Sequence, residues 1–242
     1  MNNIGFGIFC FGEEFYYKGA LEKADKILTA GFDCYILTEN PQYFINTTLK
    51  IIKYDRTFKS YHDKMILPKH ILQNHDYAIL IDADSRIINY DFIDILKTYK
   101  FKYGITYIDT LLNHSAKKQF VKDLDMNGIE WSSYKLYAEK ADVNFGELET
   151  IWEHFLVINK EGFNHKLFYK YYEKLQLAKE FSDLPMNKEV NGAGEGITIA
   201  ISAKQSTTDL QKDEELYQLL RRKIIPISKR HTPKSMWPSF ML

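Results

Sequence analysis

Two aspartates one residue apart, Asp82 and Asp84, close the stretch Tyr77-Ala78-Ile79-Leu80-Ile81-Asp82-Ala83-Asp84. The residues ahead of them are apolar or aromatic without alternation, which reads as a strand buried on both faces of a parallel sheet. Both carboxylates then sit at the carboxyl end of that strand, where open α/β sheets place their ligands. Two hard oxygen ligands in such a position suit Mg²⁺ or Mn²⁺, ions that also take phosphate oxygens of a substrate. The chemistry expected is metal-assisted handling of a nucleotide diphosphate.

The spacing alone carries little, since Asp-x-Asp arises by chance on the order of once in a chain of this length. A second pair, Asp123-Leu124-Asp125, serves as a control. It lies in a polar stretch beside Lys122, with no apolar run leading into it, and reads as a solvated surface. Strand context distinguishes the first pair from the second.

The elements that must position Asp82 and Asp84 follow from periodicity and turn chemistry. Ile4 to Phe11 reads as a first strand ending at Gly12, and Ala20 to Thr29 as a helix with an apolar stripe of Leu21, Ala24, Ile27 and Leu28, closed by Gly31. Asp33 to Thr38 and Leu49 to Tyr54 read as strands. Lys64 to Leu72 reads as a helix interrupted by Pro68, and it leads into the strand that ends at Asp82. This β-α-β-β-α-β order predicts an α/β fold with a mostly parallel central sheet flanked by helices. Downstream, the pattern predicts a helix over Phe92 to Tyr99 and strands over Tyr103 to Ile108 and Ile151 to Asn159. Further helices are expected from Ser115, over Phe163 to Glu180, from Ile197, and over Leu210 to Leu220.

The chain has 242 residues and shows no repeat or linker, which fits one domain over 1–242. Lys and Arg number 32 and so do Asp and Glu, so no net field points to a nucleic acid partner. Cys10 and Cys34 lack any metal-ligand spacing and read as buried thiols in a reducing compartment. The first residues lack the pattern of a signal peptide and no apolar run reaches membrane-spanning length, so the expected location is cytoplasmic.

With these residues in hand, the chain resembles glycosyltransferases of the GT-A (Rossmann-like) fold. The resemblance is carried by Ile4-Gly5-Phe6-Gly7-Ile8, Tyr61-His62-Asp63-Lys64-Met65-Ile66-Leu67, Ile79-Leu80-Ile81-Asp82-Ala83-Asp84, Gly194-Glu195-Gly196 and His231-Thr232-Pro233-Lys234. It implies a nucleotide-sugar donor, UDP being the commonest in this fold, a divalent metal, and transfer of a sugar to an acceptor hydroxyl. Residues 1–108 would then bind the nucleotide sugar, and 109–242 would bind the acceptor and carry the catalytic group and tail. The resemblance also implies roles for individual residues. Asp82 and Asp84 bind Mn²⁺ (or Mg²⁺), His231 completes the metal shell, and Lys234 binds phosphate. Glu195 is the catalytic carboxylate, although the paired acids usual in the family read here as Gly194-Glu195-Gly196. The expected acceptor is a glycan or lipid-linked glycan of bacterial surface-glycan synthesis, with peripheral association at the inner face of the membrane.

Donor contacts are also expected from the ends of the first two strands, with Phe9, Phe11 and Thr38 walling the base, from Ala83 between the two aspartates, and from Lys64, which could reach a donor phosphate from its helix. Glu147, Glu149, Glu153 and His154 cluster before the apolar run Phe155-Leu156-Val157-Ile158, and Trp152 is a candidate for stacking on a sugar ring. Each of these is equally a solvated loop residue or a core anchor on sequence grounds. Two other functions stay open: a sugar nucleotidyltransferase, although Phe11-Gly12-Glu13-Glu14 is not a Gly-rich phosphate loop, and a non-catalytic module that binds nucleotide sugars.

Overall fold

A computed structural model describes residues 1–45, 48–53, 60–110, 131–149, 151–177 and 195–225. Seven strands form one sheet in the order β3-β2-β1-β4-β7-β6-β8. They are β1 (Ile4–Cys10), β2 (Asp33–Thr38), β3 (Lys50–Lys53), β4 (Tyr77–Asp82), β6 (Ile105–Thr110), β7 (Ile151–Asn159) and β8 (Leu210–Lys212). Within the sheet only β7 runs against its neighbours, pairing antiparallel with both β4 and β6; the other pairings are parallel. The expected α/β architecture with a mostly parallel sheet is the one observed.

β1 is buried at every position, as a strand covered on both faces requires. One layer carries α1 (Glu14–Thr29), α3 (Phe92–Thr98) and α7 (Glu214–Leu220), which close over Phe6, Ile8, Ile79 and Ile81. The opposite layer carries α2 (Leu67–Ile71), α5 (His165–Leu177) and α6 (Glu195–Gln205), packed on Leu80, Tyr107, Leu156 and Ile158. A further helix, α4 (Trp131–Lys140), joins α6 through Tyr137, Ala138 and Ile201. α2 lies so close to β1 that a Cβ on Gly7 would stand 2.8 Å from Ile71 Cδ1, which explains the small residues there.

Several boundaries differ from expectation for local reasons. α1 begins at Glu14 rather than Ala20, with Glu14 in its first turn and paired to Lys18 at 3.0 Å. It ends as expected: Gly31 is at φ +85°, and Phe32 donates back to the Ile27 carbonyl. The helix expected over Lys64 to Leu72 is instead a 3-10 segment, Ser60–Ile66, followed by α2. Pro68 falls in the first turn of α2, where no N–H is needed. The stretch Leu210 to Leu220 is not one helix: its first three residues form β8, and Asp213 then caps α7 by accepting the Leu216 N–H at 3.0 Å. The helix expected from Ser115 and the pair Asp123 and Asp125 lie outside the described residues.

Two further short strands, β5 (Arg86–Ile87) and β9 (Ile224–Ile225), pair antiparallel, with Arg86 opposite Ile225. This pairing ties the start of the C-terminal tail to the residues just beyond Asp84. Among the described residues no helix is long and apolar enough to cross a membrane.

Candidate active site

β1 has β2 on one side and β4 on the other, so the chain reverses its direction of travel across the sheet between them. The crevice at the carboxyl ends of such a pair is where doubly wound sheets bind ligands. Asp82 is the last residue of β4, and the Asp82 carbonyl accepts from Ser85 N–H at 3.2 Å to turn the chain. The apolar run Ala78 to Ile81 is fully buried, so it cannot slip outward, and the first polar side chain after it is forced to the rim. Asp82 and Asp84 are both half-buried there.

Lys64, from the 3-10 segment, donates to Asp82 Oδ1 and to the Glu153 carbonyl at 3.2 Å. The expected phosphate-contacting lysine is therefore an ion-pair partner of the first aspartate, and it is only 4 % exposed. β7 supplies the other half of the rim. Its register sets Ile81 opposite Phe155, so continuing the ladder brings His154 and Glu153 alongside Asp82 and Ala83. Of the four polar candidates, Glu153 and His154 are thus strand residues within the site. Glu147 is a surface residue paired with Lys204 at 3.0 Å, and Glu149 accepts the buried Tyr107 hydroxyl at 2.6 Å.

α6 starts against this rim. A Cβ on Gly196 would stand 2.5 Å from the Ile151 carbonyl oxygen and 3.1 Å from Glu153 Oε2. Glycine lets the helix start touch β7, and the Glu153 carboxylate accepts the Gly196 N–H. Glu195 is the first residue of α6, so its backbone stands at the same end of the sheet as Asp82. The side chains of Glu195 and Trp152, and residues His231 and Lys234 altogether, lie outside the described residues.

Electrostatics at the rim depart from the ordinary. Burial, then the neighbouring Asp82 charge, pushes the Asp84 carboxyl up to about 7, with Lys23 and Lys64 opposing. Burial also raises Glu153, against the pull of Lys64, and holds His154 down to about 4. Lys23 on α1 is pushed down to about 8 by burial, against Glu22, Asp84 and Asp82. Lys23 escaped the sequence reading because it sits within an apolar stripe, where nothing local marks a lysine as buried.

The nucleotide side is built from the ends of β1 and β2. The rings of Phe9 and Phe11 lie 4.9 Å apart at 31°. Thr38 is fully buried, and its hydroxyl accepts the Asn40 N–H at 3.1 Å while bonding the Cys10 thiol. The Thr38 side chain is thus committed to the protein, and its expected wall is the strand end itself. Glu39 accepts the Gly12 N–H at 3.0 Å, and Tyr17 stacks on Tyr43 with centroids 4.5 Å apart. Glu39 and Tyr17 were not singled out from the sequence.

Among the described residues no group of three or more His, Cys, Asp and Glu side chains is arranged to hold a metal ion. The two turn carboxylates are nonetheless suited to one. Their donor set is hard oxygen, and a divalent cation between them would offset both the burial of Asp84 and its repulsion by Asp82.

No family model matches the sequence, and no curated protein matches it. Solved structures do match. One is the bifunctional glycosyltransferase WbbM in its apo form, at 10% identity and TM-score 0.55, over 92% of this chain and 45% of that one. Another is the galactosyltransferase LgtC in complex with donor and acceptor sugar analogues, at 10% identity and TM-score 0.50, over 96% of this chain and 81% of that one. This protein has the GT-A glycosyltransferase fold. It spans less than half the length of WbbM. Within the GT-A fold the turn Asp82-Ala83-Asp84 stands at the switch point of the sheet, so the resemblance first drawn from that turn and the architecture agree.

Proposed function

We propose that this protein is a metal-dependent glycosyltransferase that moves a sugar from a nucleoside-diphosphate sugar, of which UDP-sugars are the favoured class, to an acceptor hydroxyl. The observation that carries this reading is the pair of rim carboxylates, Asp82 and Asp84, at the switch point of a GT-A sheet. Asp82 and Asp84 would hold Mn²⁺ or Mg²⁺, which when bound supplies charge stabilisation to the departing nucleoside diphosphate. Lys64 orients Asp82 through their ion pair and adds positive charge beside the leaving group.

Bond making follows from this arrangement. The acceptor oxygen attacks the anomeric carbon, the bond from that carbon to the diphosphate oxygen breaks, and Glu195 takes the hydroxyl proton. The position of Glu195 at the start of α6, beside the Glu153 to Gly196 contact, supports that role. Phe9, Phe11 and the strand end at Thr38 would face the base. His231 follows β9 by six residues, and β9 is paired to the segment just after Asp84. Extended chain covers about 3.3 Å per residue, so His231 is within reach of the metal and Lys234 within reach of the phosphates. We infer a glycan or lipid-linked glycan acceptor, a place in bacterial surface-glycan synthesis, and work at the cytoplasmic face of a membrane by peripheral association. Residues 1–108 would serve the donor and 109–242 the acceptor, within a single domain.

A donor-hydrolysis and transfer screen tests the reading. Purified protein is given a panel of nucleotide sugars with Mn²⁺ and, separately, with excess EDTA, and free nucleoside diphosphate is measured. Release from one donor class that needs the metal is expected. Full activity in EDTA would remove the metal from the reaction, and no release from any donor in the presence of candidate glycans would remove the transferase.

A further inference from the structure

We propose that Lys23 is a positioning residue of the metal turn: its buried ammonium holds the Ala83 carbonyl and so sets the directions in which Asp82 and Asp84 present their carboxylates. The inference rests on the reading of that turn as a metal site. Lys23 is 1 % exposed, on the face of α1 that packs against the sheet through Ala20, Ala24 and Ile27. A lysine is rarely buried unless something holds it, because an ammonium is costly to take out of water. A leucine or methionine would fill that position without the cost. What the lysine adds is a charge-assisted bond from Nζ to the Ala83 carbonyl at 2.8 Å, with a second bond to its own helix at the Gly19 carbonyl, 3.2 Å away.

Ala83 lies just past the end of β4, where the ladder to β1 has stopped at Asp82, so its carbonyl has no strand partner in that ladder. Lys23 supplies the missing donor from the α1 layer. Lys64 grips the Asp82 side chain from the α2 layer on the opposite face of the sheet. The turn is therefore held from both faces, its backbone by one lysine and its first carboxylate by the other. Groups that orient metal ligands through a bond of this kind commonly matter to affinity as much as to shape.

The experiment is a titration of metal-stripped protein with Mn²⁺ in the presence of UDP, read by the electron paramagnetic resonance of free Mn²⁺, alongside thermal unfolding. The variants are Lys23→Met, Lys23→Gln and, as a packing control on the same helix, Ile27→Ala. Lys23→Met is expected to weaken Mn²⁺ binding by about tenfold or more. Ile27→Ala is expected to lower the unfolding temperature and leave Mn²⁺ affinity unchanged. Unchanged affinity in Lys23→Met overturns the proposal. So does tighter binding, because losing only a repelling positive charge would attract the cation more strongly. Equal weakening in Ile27→Ala would reduce Lys23 to a packing role. Should Lys23→Met not fold, Lys23→Gln carries the same comparison, and if neither folds Lys23 belongs to the fold and not to the turn. A wild-type protein that binds no Mn²⁺ would instead defeat the metal site itself, and the positioning role with it.

Discussion

At the amino end of the sheet polar groups face neutral or oppositely charged neighbours, whereas at its carboxyl end two carboxylates stand side by side between two buried lysines. At the amino end, the His75 ring nitrogens lie 2.9 Å from Asn3 Oδ1 and 3.2 Å from the Asp33 carboxylate. Backbone closes the rest: Asn159 N–H bonds the Gly104 carbonyl at 2.9 Å, and Lys160 N–H bonds that of Asp76 at 2.9 Å. At the carboxyl end Lys23, Lys64, Asp82, Asp84, Glu153 and His154 crowd one turn, and burial moves Lys23, Asp84, Glu153 and His154 away from their ordinary pKa values. Taking these charges out of water costs stability that their mutual attraction repays only in part. Under the proposed function, the carboxyl end is the one that a bound cation would complete.

The sharpest way to break this contrast is Asp84→Asn. It should lower transfer about a thousandfold or more, the several kcal/mol a bound metal supplies to a reacting phosphate. In EDTA the same variant should be more stable than wild type, because a buried like charge has gone. The sign follows from the raised pKa. Between the ordinary 3.8 and about 7 the folded state holds a proton that the unfolded chain has released, so Asp84 makes metal-free stability fall as pH rises through that window. Thermal melts in EDTA across that range, for wild type and Asp84→Asn, check it; a variant that is active, or less stable in EDTA, would merge the two ends of the sheet into one kind of structure.

Glu195→Gln should come next, with turnover reduced by roughly two to four orders of magnitude and donor affinity nearly unchanged. Steady-state kinetics at saturating donor decide it. A rise in donor KM with turnover preserved would make Glu195 a donor-orienting group, as expected of a retaining enzyme. Near wild-type values for both would turn attention to Glu153.

At the opposite end, Gly104→Ala would put a Cβ 2.1 Å from the Gly162 carbonyl oxygen and 3.0 Å from Thr208 Cγ2. We expect a loss of about 1–3 kcal/mol in stability. Mn²⁺ affinity of the folded fraction should not change. Denaturant unfolding and metal titration on the same sample check this, and weakened metal binding would show that the two ends communicate.

The smallest effect is that of His154, which is 1 % exposed and held neutral down to about 4 from its ordinary 6.5. As pH falls through that window the unfolded chain takes the proton first, so stability is lost on acidification. Asp84 acts in the opposite sense over an overlapping range, so substitution is needed to separate the two. His154→Gln should flatten the acid loss, and an unaltered profile would show that His154 is not buried as a neutral ring.

The sequence by itself determined the first strands of the sheet and the turn after β4, but not the edge strand β8, which it read as helix. A short continuous apolar run closed by polar turn residues reads as a doubly covered strand, and such a strand delivers the residues after it to the rim, so Asp82 and Asp84 were legible from Tyr77 onward. Turn chemistry at Gly31 was equally local. What only the tertiary structure decided was which distant residues meet that turn. The reversed direction of β7 carries Glu153 and His154 from the start of a late strand to the end of β4, and no local pattern encodes strand direction. Lys23 is another case: one turn of helix cannot show whether a lysine in an apolar stripe reaches back to water or inward to a carbonyl 60 residues away. Lys64 was expected at a donor phosphate, and only the fold showed that Asp82 is its partner. Local periodicity fixes what a residue belongs to, while charge partners across the sheet fix what it can do, because electrostatic and hydrogen-bond energies depend on distance in space and not along the chain.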